Sequence, residues 1–357
     1  MQKLISLVKK SSILVFLDEI YQTEIRDLLY QLKLYLKRDT IRYCRLLWGG
    51  IFIDCYGDVY VCSHLKPGRI GNIYKESFED IWNGETMRKF RFRCLNGALH
   101  CRSDCFMTPR QYTLKTTPSV FVPVENLKKV FFSFGERCNI NCIMCSHRGR
   151  DLTIPILDFE KIKNKIPTSN LTSVLIMGGE PLLLQDAIKC FKYYGQQGVE
   201  VTFLTNGTIM NKDIAAMIVQ YSKKIYISIN AGTKKTHEII NKGSCFEKVI
   251  ANIATIKRQA KELEKDFEVI LHMTIVKENI HEIPLFIRTA KKMGADSLDF
   301  GYDVSVRNLL NLNKTLREQL EKEITIAFEE TQELYLRINK RYLKSLGMQF
   351  VSDDDEW

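Results

Sequence analysis

No stretch of this 357-residue chain is long and apolar enough to span a bilayer. Nor does it open with an export signal. The apolar run Ile13–Leu17 is too short for a signal core, acidic residues follow at once, and no small-residue cleavage site appears. Nucleic-acid signatures are missing as well: the net charge is +10, yet there is no basic run and no interleaved aromatic motif. These absences lead us to expect a cytoplasmic, membrane-free protein in a reducing compartment. That expectation decides the meaning of eleven cysteines. Reducing conditions favour metal binding or catalysis over a disulfide framework.

Nine of the eleven cysteines lie between Cys44 and Cys145, and Cys190 and Cys245 stand alone as small core or surface residues. The basic excess is uneven too. Residues 1–120 carry nineteen basic against twelve acidic side chains. Solvated basic faces account for that most simply. A sharper reading is a docking face for an acidic electron donor of ferredoxin or flavodoxin type, or for an anionic substrate.

From about Lys128 the chain alternates β-rich runs with amphipathic segments. Six strands are expected: "KKVFFSF", "TSVLIMG", "VEVTFLT", "KKIYISIN", "FEVILHMTIV" and "DSLDFGYD". Helices are expected over Asp186–Gln196, Lys212–Tyr221, Phe246–Glu262 and His281–Met293. Such a repeat predicts parallel strands with helical crossovers, in either a doubly wound open sheet or part of a barrel. One long helix is expected over Asn313–Leu346, before an acidic tail. Upstream, residues 18–41 read as helical, and 44–63 as a hairpin turned at Tyr56–Gly57–Asp58. A short helix over "SFEDIWNGETMRKFRFR" follows, and a proline-bearing segment reads as a linker. The division expected is 1–43 helical, 44–110 a small α+β domain, 111–127 linker, 128–305 the α/β repeat, and 306–357 a helix and tail.

The segment "ERCNINCIMCSH" places Cys138, Cys142 and Cys145 on one loop directly after the first repeat strand. Soft thiolates select zinc, Cu(I) or iron–sulfur clusters. Structural zinc wants four closed ligands, usually two pairs on separate turns. Three cysteines on a single loop suit a cubane better, with three irons tied to protein and the fourth open. A fourth cysteine would close that position.

This Cx3Cx2C loop resembles that of the radical S-adenosylmethionine enzymes, and other segments match in chain order. "MGGEPLL" follows the second strand, "FLTNGT" ends the third and "ISINAG" ends the fourth. The resemblance implies a partial (β/α)6 barrel with a 4Fe-4S cluster on Cys138, Cys142 and Cys145. It implies S-adenosylmethionine contacts from Gly178, Gly179, Glu180, Pro181, Thr205, Asn206, Ser228 and Asn230. Met144 departs from the family, where an aromatic residue often precedes the third cysteine; a thioether can also pack against an adenine face. The implied chemistry is reductive cleavage of S-adenosylmethionine to a 5′-deoxyadenosyl radical that abstracts hydrogen from a substrate.

The earlier cysteines belong to a second resemblance. "CRLLWGGIFIDCYGDVYVC", then "IGNIYKESFEDIWNGE", then a closing cysteine pair resembles the auxiliary-cluster domains called SPASM, or Twitch in the shortened form. The match implies one auxiliary 4Fe-4S cluster on Cys44, Cys62, Cys101 and Cys105, with Cys55 and Cys94 in reserve. A zinc-stapled minidomain is the plainer alternative. This domain normally follows the barrel, and here it precedes it.

His272 and Thr274 on the fifth strand, and Tyr302 and Asp303 at the end of the sixth, are further acid, base or hydrogen-bond candidates. A structural role accounts for each as simply. His64, His100 and His147 read as solvent-facing or as neighbours of ligands, and Trp48 and Trp82 as core. The expected activity is that of a radical S-adenosylmethionine enzyme acting on a peptide or a carbohydrate-like small molecule. A tRNA-modifying enzyme, motivated only by charge, and a non-catalytic iron–sulfur or zinc scaffold are the alternatives.

Overall fold

Ten strands form one sheet in the computed structural model, which describes residues 41–62, 68–96, 99, 110–112, 118–145 and 153–350. In chain order they are β1 (Gly50–Ile53), β2 (Asp58–Tyr60), β3 (Arg69–Asn72), β4 (Lys129–Ser133), β5 (Ser173–Met177), β6 (Glu200–Thr205), β7 (Lys224–Ser228), β8 (Glu268–Ile275), β9 (Ser297–Tyr302) and β10 (Arg337–Ile338). Their spatial order is β10-β9-β8-β7-β6-β5-β4-β1-β2-β3. The six expected strands are β4–β9.

Those six lie side by side in chain order, all parallel. A doubly wound sheet reverses its strand order at a switch point. Here there is no reversal, so the ambiguity left by sequence periodicity resolves in favour of the partial barrel. Burial says the same. Val130, Phe132, Val174, Ile176, Ile225 and Ile227 alternate along their strands and are essentially inaccessible, packed beneath the crossover helices. Their alternate neighbours Phe131, Ser133, Leu175, Met177, Tyr226 and Ser228 are half-buried and face the lumen. Helix starts follow the side chains available. Asn211, Thr233, Asp303 and Asn313 each accept a backbone N–H of the first turn.

On the outer face Phe203 of β6 stacks on Phe191 of helix Gln185–Gln196, with centroids 4.3 Å apart and planes at 11°. Both rings are fully buried. Phe203→Ala removes a large side chain from a site that cannot collapse. Urea unfolding is expected to show a loss of about 3–5 kcal/mol.

Both barrel edges are covered by additional strands. β1 pairs parallel with β4, Gly50 opposite Lys129 through Ile53 opposite Phe132. β2 pairs antiparallel with β1 as the expected hairpin, with Gly57 at φ +75° in its turn, and β3 continues the sheet antiparallel to β2. The small domain is therefore continuous with the barrel sheet. Residues 120–127, expected as a linker, are bound to that domain. Trp82 Nε1 donates to the Val122 carbonyl at 2.9 Å, and the buried Arg91 donates to the Val120 carbonyl at 2.8 Å while stacking on Trp82. Trp48 and Trp82 are core residues.

Two expected helices are divided. "SFEDIWNGETMRKFRFR" forms Phe78–Trp82 and Glu85–Leu95, separated at Asn83–Gly84. The single long helix over 313–346 is corrected. Helix Lys314–Thr331 ends in a short 3-10 turn, Tyr335 turns left-handed at φ +50°, and β10 joins the edge of β9 before a last helix, Arg341–Ser345. Arg337 of β10 pairs with Glu268 across the edge. The free sheet edge outcompetes helical continuation. The expected helix over 18–41 lies outside the described residues except for Ile41, which begins a short strand, and the acidic tail, His64, His100, His147, Cys101 and Cys105 lie outside them too.

Candidate functional site

The loop bearing Cys138, Cys142 and Cys145 leaves the C-terminal end of β4, the end at which barrel sites are built. Two short anchors shape it. Asn141–Cys142 pairs antiparallel with Asn241–Lys242, Cys142 opposite Asn241, and Ile143 N donates to the Ile240 carbonyl at 2.9 Å. Asn139 Nδ2 donates to Thr208 Oγ1 at 2.7 Å. Asn206 Nδ2 reaches Asn139 Oδ1 at 3.0 Å and lies 3.7 Å from Cys138 Sγ. Asn139 thus fastens the loop to the end of β6.

Burial pushes the Cys142 thiol up to about 12, reinforced by neighbouring Cys138 and Cys145. Burial also raises Cys138, partly offset by the Asn206 amide. Two thiols raised in this way beside a third call for a cation. The spacing says which kind. A tetrahedral ion with metal–sulfur bonds of about 2.3 Å draws its ligands to about 3.8 Å of each other. Among the described residues, the trio whose ligand atoms lie within 4.8 Å is Glu238, Cys245 and Glu247, mostly exposed. Cys138, Cys142 and Cys145 do not form such a trio, and three thiolates on one loop fit an iron–sulfur cluster with one iron left open. The donor set fits.

The Gly-Gly segment lies against this loop. Gly178 and Gly179 have φ of +95° and +55°. Glu180 N donates to the Arg137 carbonyl at 2.8 Å. Glu180 itself points inward and is fully buried. It accepts from Thr205 Oγ1 at 2.6 Å, from Asn206 N at 2.8 Å and from Leu182 N at 3.1 Å. Pro181 opens the 3-10 turn Pro181–Leu183. The side chains of Glu180 and Thr205 are therefore spent in bracing the ends of β5 and β6, and the Gly178–Gly179 backbone is what this segment presents beside the cysteines.

Ser228 ends β7 facing the lumen. Asn230 is buried with both amide ends occupied. Its Nδ2 donates to Asn241 Oδ1 at 2.9 Å and its Oδ1 accepts from Thr274 N at 2.7 Å. Since Asn241 is the partner of Cys142, Asn230 ties the cysteine loop to β8. Asn279 donates to the carbonyls of Asn230 and Thr274 and completes this belt. Thr208, Asn241 and Asn279 stand at isolated positions that carry no spacing signal in the sequence.

His237 belongs to the same belt. Its ring is fully buried between Ser244 and Phe246, and its Nδ1 faces Asn230 N. Burial pushes it down to about 4 from an ordinary value of 6.5. The folded state holds the neutral ring while the unfolded chain takes up a proton below about pH 6.5. Its contribution is thus intact above that pH and declines as pH falls toward 4. Urea unfolding at pH 5 is expected to show about 2 kcal/mol less stability than at pH 7.5 from this group. His237→Gln should flatten that slope.

The auxiliary-domain cysteines separate by level. Cys44 precedes β1 and is buried, Cys62 follows β2, and Cys94 is fully buried in helix Glu85–Leu95, which packs against the segment around Cys44. Because β1 runs parallel to β4, its tip rises to the cysteine-loop end. Cys55 sits there near Glu136, and burial pushes its thiol up to about 11. Phe52 opposes Tyr60, so Cys62 is level with Gly50, five residues below Cys55. The strand Gly50–Ile53 between those two levels spans about 10 Å. Between the hairpin tip and residues 155–165 lies an open cleft of about 700 Å³, lined by Tyr56, Tyr74, Ile156, Lys161 and Lys165 among others.

Comparison with known proteins agrees with this geometry. A family model described as the radical SAM superfamily matches residues 132–290, and one described as an iron-sulfur cluster-binding domain, SPASM, matches residues 44–106. The chain is 26% identical to the AdoMet-dependent heme synthase of Methanosarcina barkeri over 44% of its own length and 45% of that protein. The Fe-coproporphyrin III synthase of the same organism is 22% identical, with 62% and 56% covered. The antilisterial bacteriocin subtilosin biosynthesis protein AlbA of Bacillus subtilis is 24% identical, with 48% and 38% covered. The chain spans about half the length of these curated relatives. Among solved structures, Streptococcus suis SuiB bound to its precursor peptide SuiA gives a TM-score of 0.47 at 14% identity, covering 84% of this chain and 71% of that one. No described helix is long and apolar enough to cross a membrane.

Proposed function

We propose that this chain, which belongs to the radical SAM superfamily and carries a SPASM domain, is an enzyme that removes a hydrogen atom from a peptide held at the mouth of its barrel. Its cofactors are 4Fe-4S clusters and S-adenosylmethionine. Cys138, Cys142 and Cys145 would hold the first cluster, and Cys44, Cys62, Cys101 and Cys105 the auxiliary one. Bound there and reduced, the first cluster with S-adenosylmethionine supplies a 5′-deoxyadenosyl radical, strong enough to take hydrogen from carbon. The chain's own share is placement and shelter. The Gly178–Gly179 backbone leaves close approach open beside the loop. Asn206 fixes Cys138 from one side, and the Asn241–Asn230 link fixes Cys142 from the other. Ser228 offers a hydroxyl on the lumen wall. The basic first third of the chain is the docking face for an acidic electron donor.

The observation that carries this reading is a trio of cysteines on one loop at the C-terminal end of a six-stranded partial barrel. A peptide substrate is supported by the similarity to AlbA, a bacteriocin biosynthesis protein, and by the open cleft between the hairpin and the barrel. The similarity to heme and Fe-coproporphyrin III synthases favours a second reading, an iron-porphyrin substrate. Anoxic reconstitution tests the common core. About eight irons per chain, four per cluster, are expected, with 5′-deoxyadenosine formed on adding dithionite and S-adenosylmethionine. Zinc as the sole metal on the loop cysteines would overturn it. Stimulation of that product by short peptides, against Fe-coproporphyrin III, separates the two substrates.

A further inference from the structure

The lumen wall carries a histidine–carboxylate pair that the reading so far leaves unused. We propose that His272 is the proton-accepting residue of this active site, oriented by Asp299 and left open by Gly301 toward an O–H or N–H of the substrate. The inference deepens the radical SAM reading and rests on it for the location of the substrate.

Register sets up the pair. β8 and β9 are parallel, with His272 opposite Asp299. His272 Nδ1 lies 2.7 Å from Asp299 Oδ2. Asp299 Oδ1 accepts from Asn339 Nδ2 at 2.8 Å, and Asn339 N donates to the Leu298 carbonyl at 2.9 Å. The carboxylate is thus held from the far side by the segment after β10. A carboxylate can only accept from the neutral imidazole, so Nδ1 carries the proton and Nε2 presents its lone pair.

Thr274 Oγ1 lies 3.5 Å from Nε2, long for a hydrogen bond. Across from it lies Gly301, where an added Cβ would come 3.3 Å from Nε2 and 3.4 Å from Cε1. The φ of Gly301 is outside the left-handed range, so its backbone does not require glycine. What glycine provides here is room at Nε2. The side chains of His272 and Asp299 are 17% and 15% exposed, sheltered yet reachable through the lumen. His237, packed on every side, is the contrasting structural histidine.

The pair also stands in the right place. Ser228 opposes His272. Ile227 opposes Thr205, and continuing that register by one residue sets Ser228 beside Asn206, the residue that reaches Cys138. Asn206 and His272 are therefore two strand spacings apart, about 10 Å, which leaves the width of a small ligand between them. In the step assigned here the substrate X–H bond breaks, its electron pair stays on X, and an N–H bond forms at Nε2. Asp299 then opposes the imidazolium charge.

Two measurements on the full reconstituted chain test this without needing the substrate. The ¹⁵N spectrum of the histidine-labelled chain is expected to show His272 protonated at Nδ1, and Asp299→Asn should remove that preference. Diethyl pyrocarbonate, with peptide mapping by mass spectrometry, should modify His272 more slowly than the exposed His281 and faster than His237. Gly301→Val should slow His272 at least tenfold and leave His281 unchanged. A proton on Nε2 in the unaltered chain, reactivity no greater than that of His237, or an unchanged rate in a folded Gly301→Val variant would each overturn the proposal. Failure of the unaltered chain to form 5′-deoxyadenosine would instead remove the radical reading, and these ring measurements would still stand.

Discussion

Cys142→Ala is expected to abolish 5′-deoxyadenosine formation, to below about a thousandth of the unaltered rate, with the fold retained. The side chain is small and half-buried, and its removal leaves the backbone pairing with Asn241 intact. Stability should change by no more than about 1–2 kcal/mol. What is lost is one of three donors in a set without a spare. Cys55, also at this end of the sheet, belongs to the hairpin tip and is pushed up to about 11 by burial and by Asp54. Iron analysis should fall from about eight to about four per chain, the remainder being the auxiliary cluster. Product retained at half or more of the unaltered rate would remove Cys142 from the ligand set. The same iron loss in Cys44→Ala with 5′-deoxyadenosine retained would show that the two cysteine groups hold separate clusters.

Gly179→Ala is the second large effect, and here two costs must be weighed. The φ of +55° strains any residue with a Cβ by about 1–2 kcal/mol. Sterics cost more. The added Cβ would lie 2.8 Å from the carbonyl carbon and 2.9 Å from the amide nitrogen of Arg137, and closer still to its carbonyl oxygen. These are backbone atoms one residue before Cys138, so relief requires moving the cysteine loop itself. Gly198→Ala separates the contributions, because φ is +76° there and no atom lies within 4 Å of the added Cβ. Gly198→Ala is expected to cost about 1 kcal/mol in urea unfolding and keep full iron content. Gly179→Ala should lose the first cluster, about four irons, and raise loop proteolysis. Equal behaviour of the two variants would show that backbone strain alone, and not contact with the loop, makes glycine necessary at 179.

Much of the barrel was legible because its signals are local. Six β-rich runs, with amphipathic helices between most of them, need no knowledge of distant chain. Helix Lys212–Tyr221 has the predicted bounds because Asn211 caps it and Ser222 ends it. The cysteine spacing and the Gly-Gly-Glu-Pro segment are local in the same sense. The C-terminal helix was not legible. Residues 332–340 have helical composition, and an unfilled edge on β9, some forty residues upstream, draws them into a strand. The roles of Glu180 and Asn230 were also hidden. Their hydrogen-bond partners Thr205, Asn206, Asn241 and Thr274 are set by strand register.

By itself the sequence determined the strand–helix repeat, the cysteine loop at a strand end and the small cysteine-bearing hairpin, since each depends on residues within a few positions of one another. The tertiary structure alone decided that the hairpin joins β4 and carries Cys55 to the cysteine-loop end, that asparagines far apart in the chain hold the loop, and that His272 meets Asp299 beneath an open glycine. Those arrangements depend on which strands become neighbours and in what register. A register shift of one residue would turn His272 away from the lumen and leave every local signal unchanged.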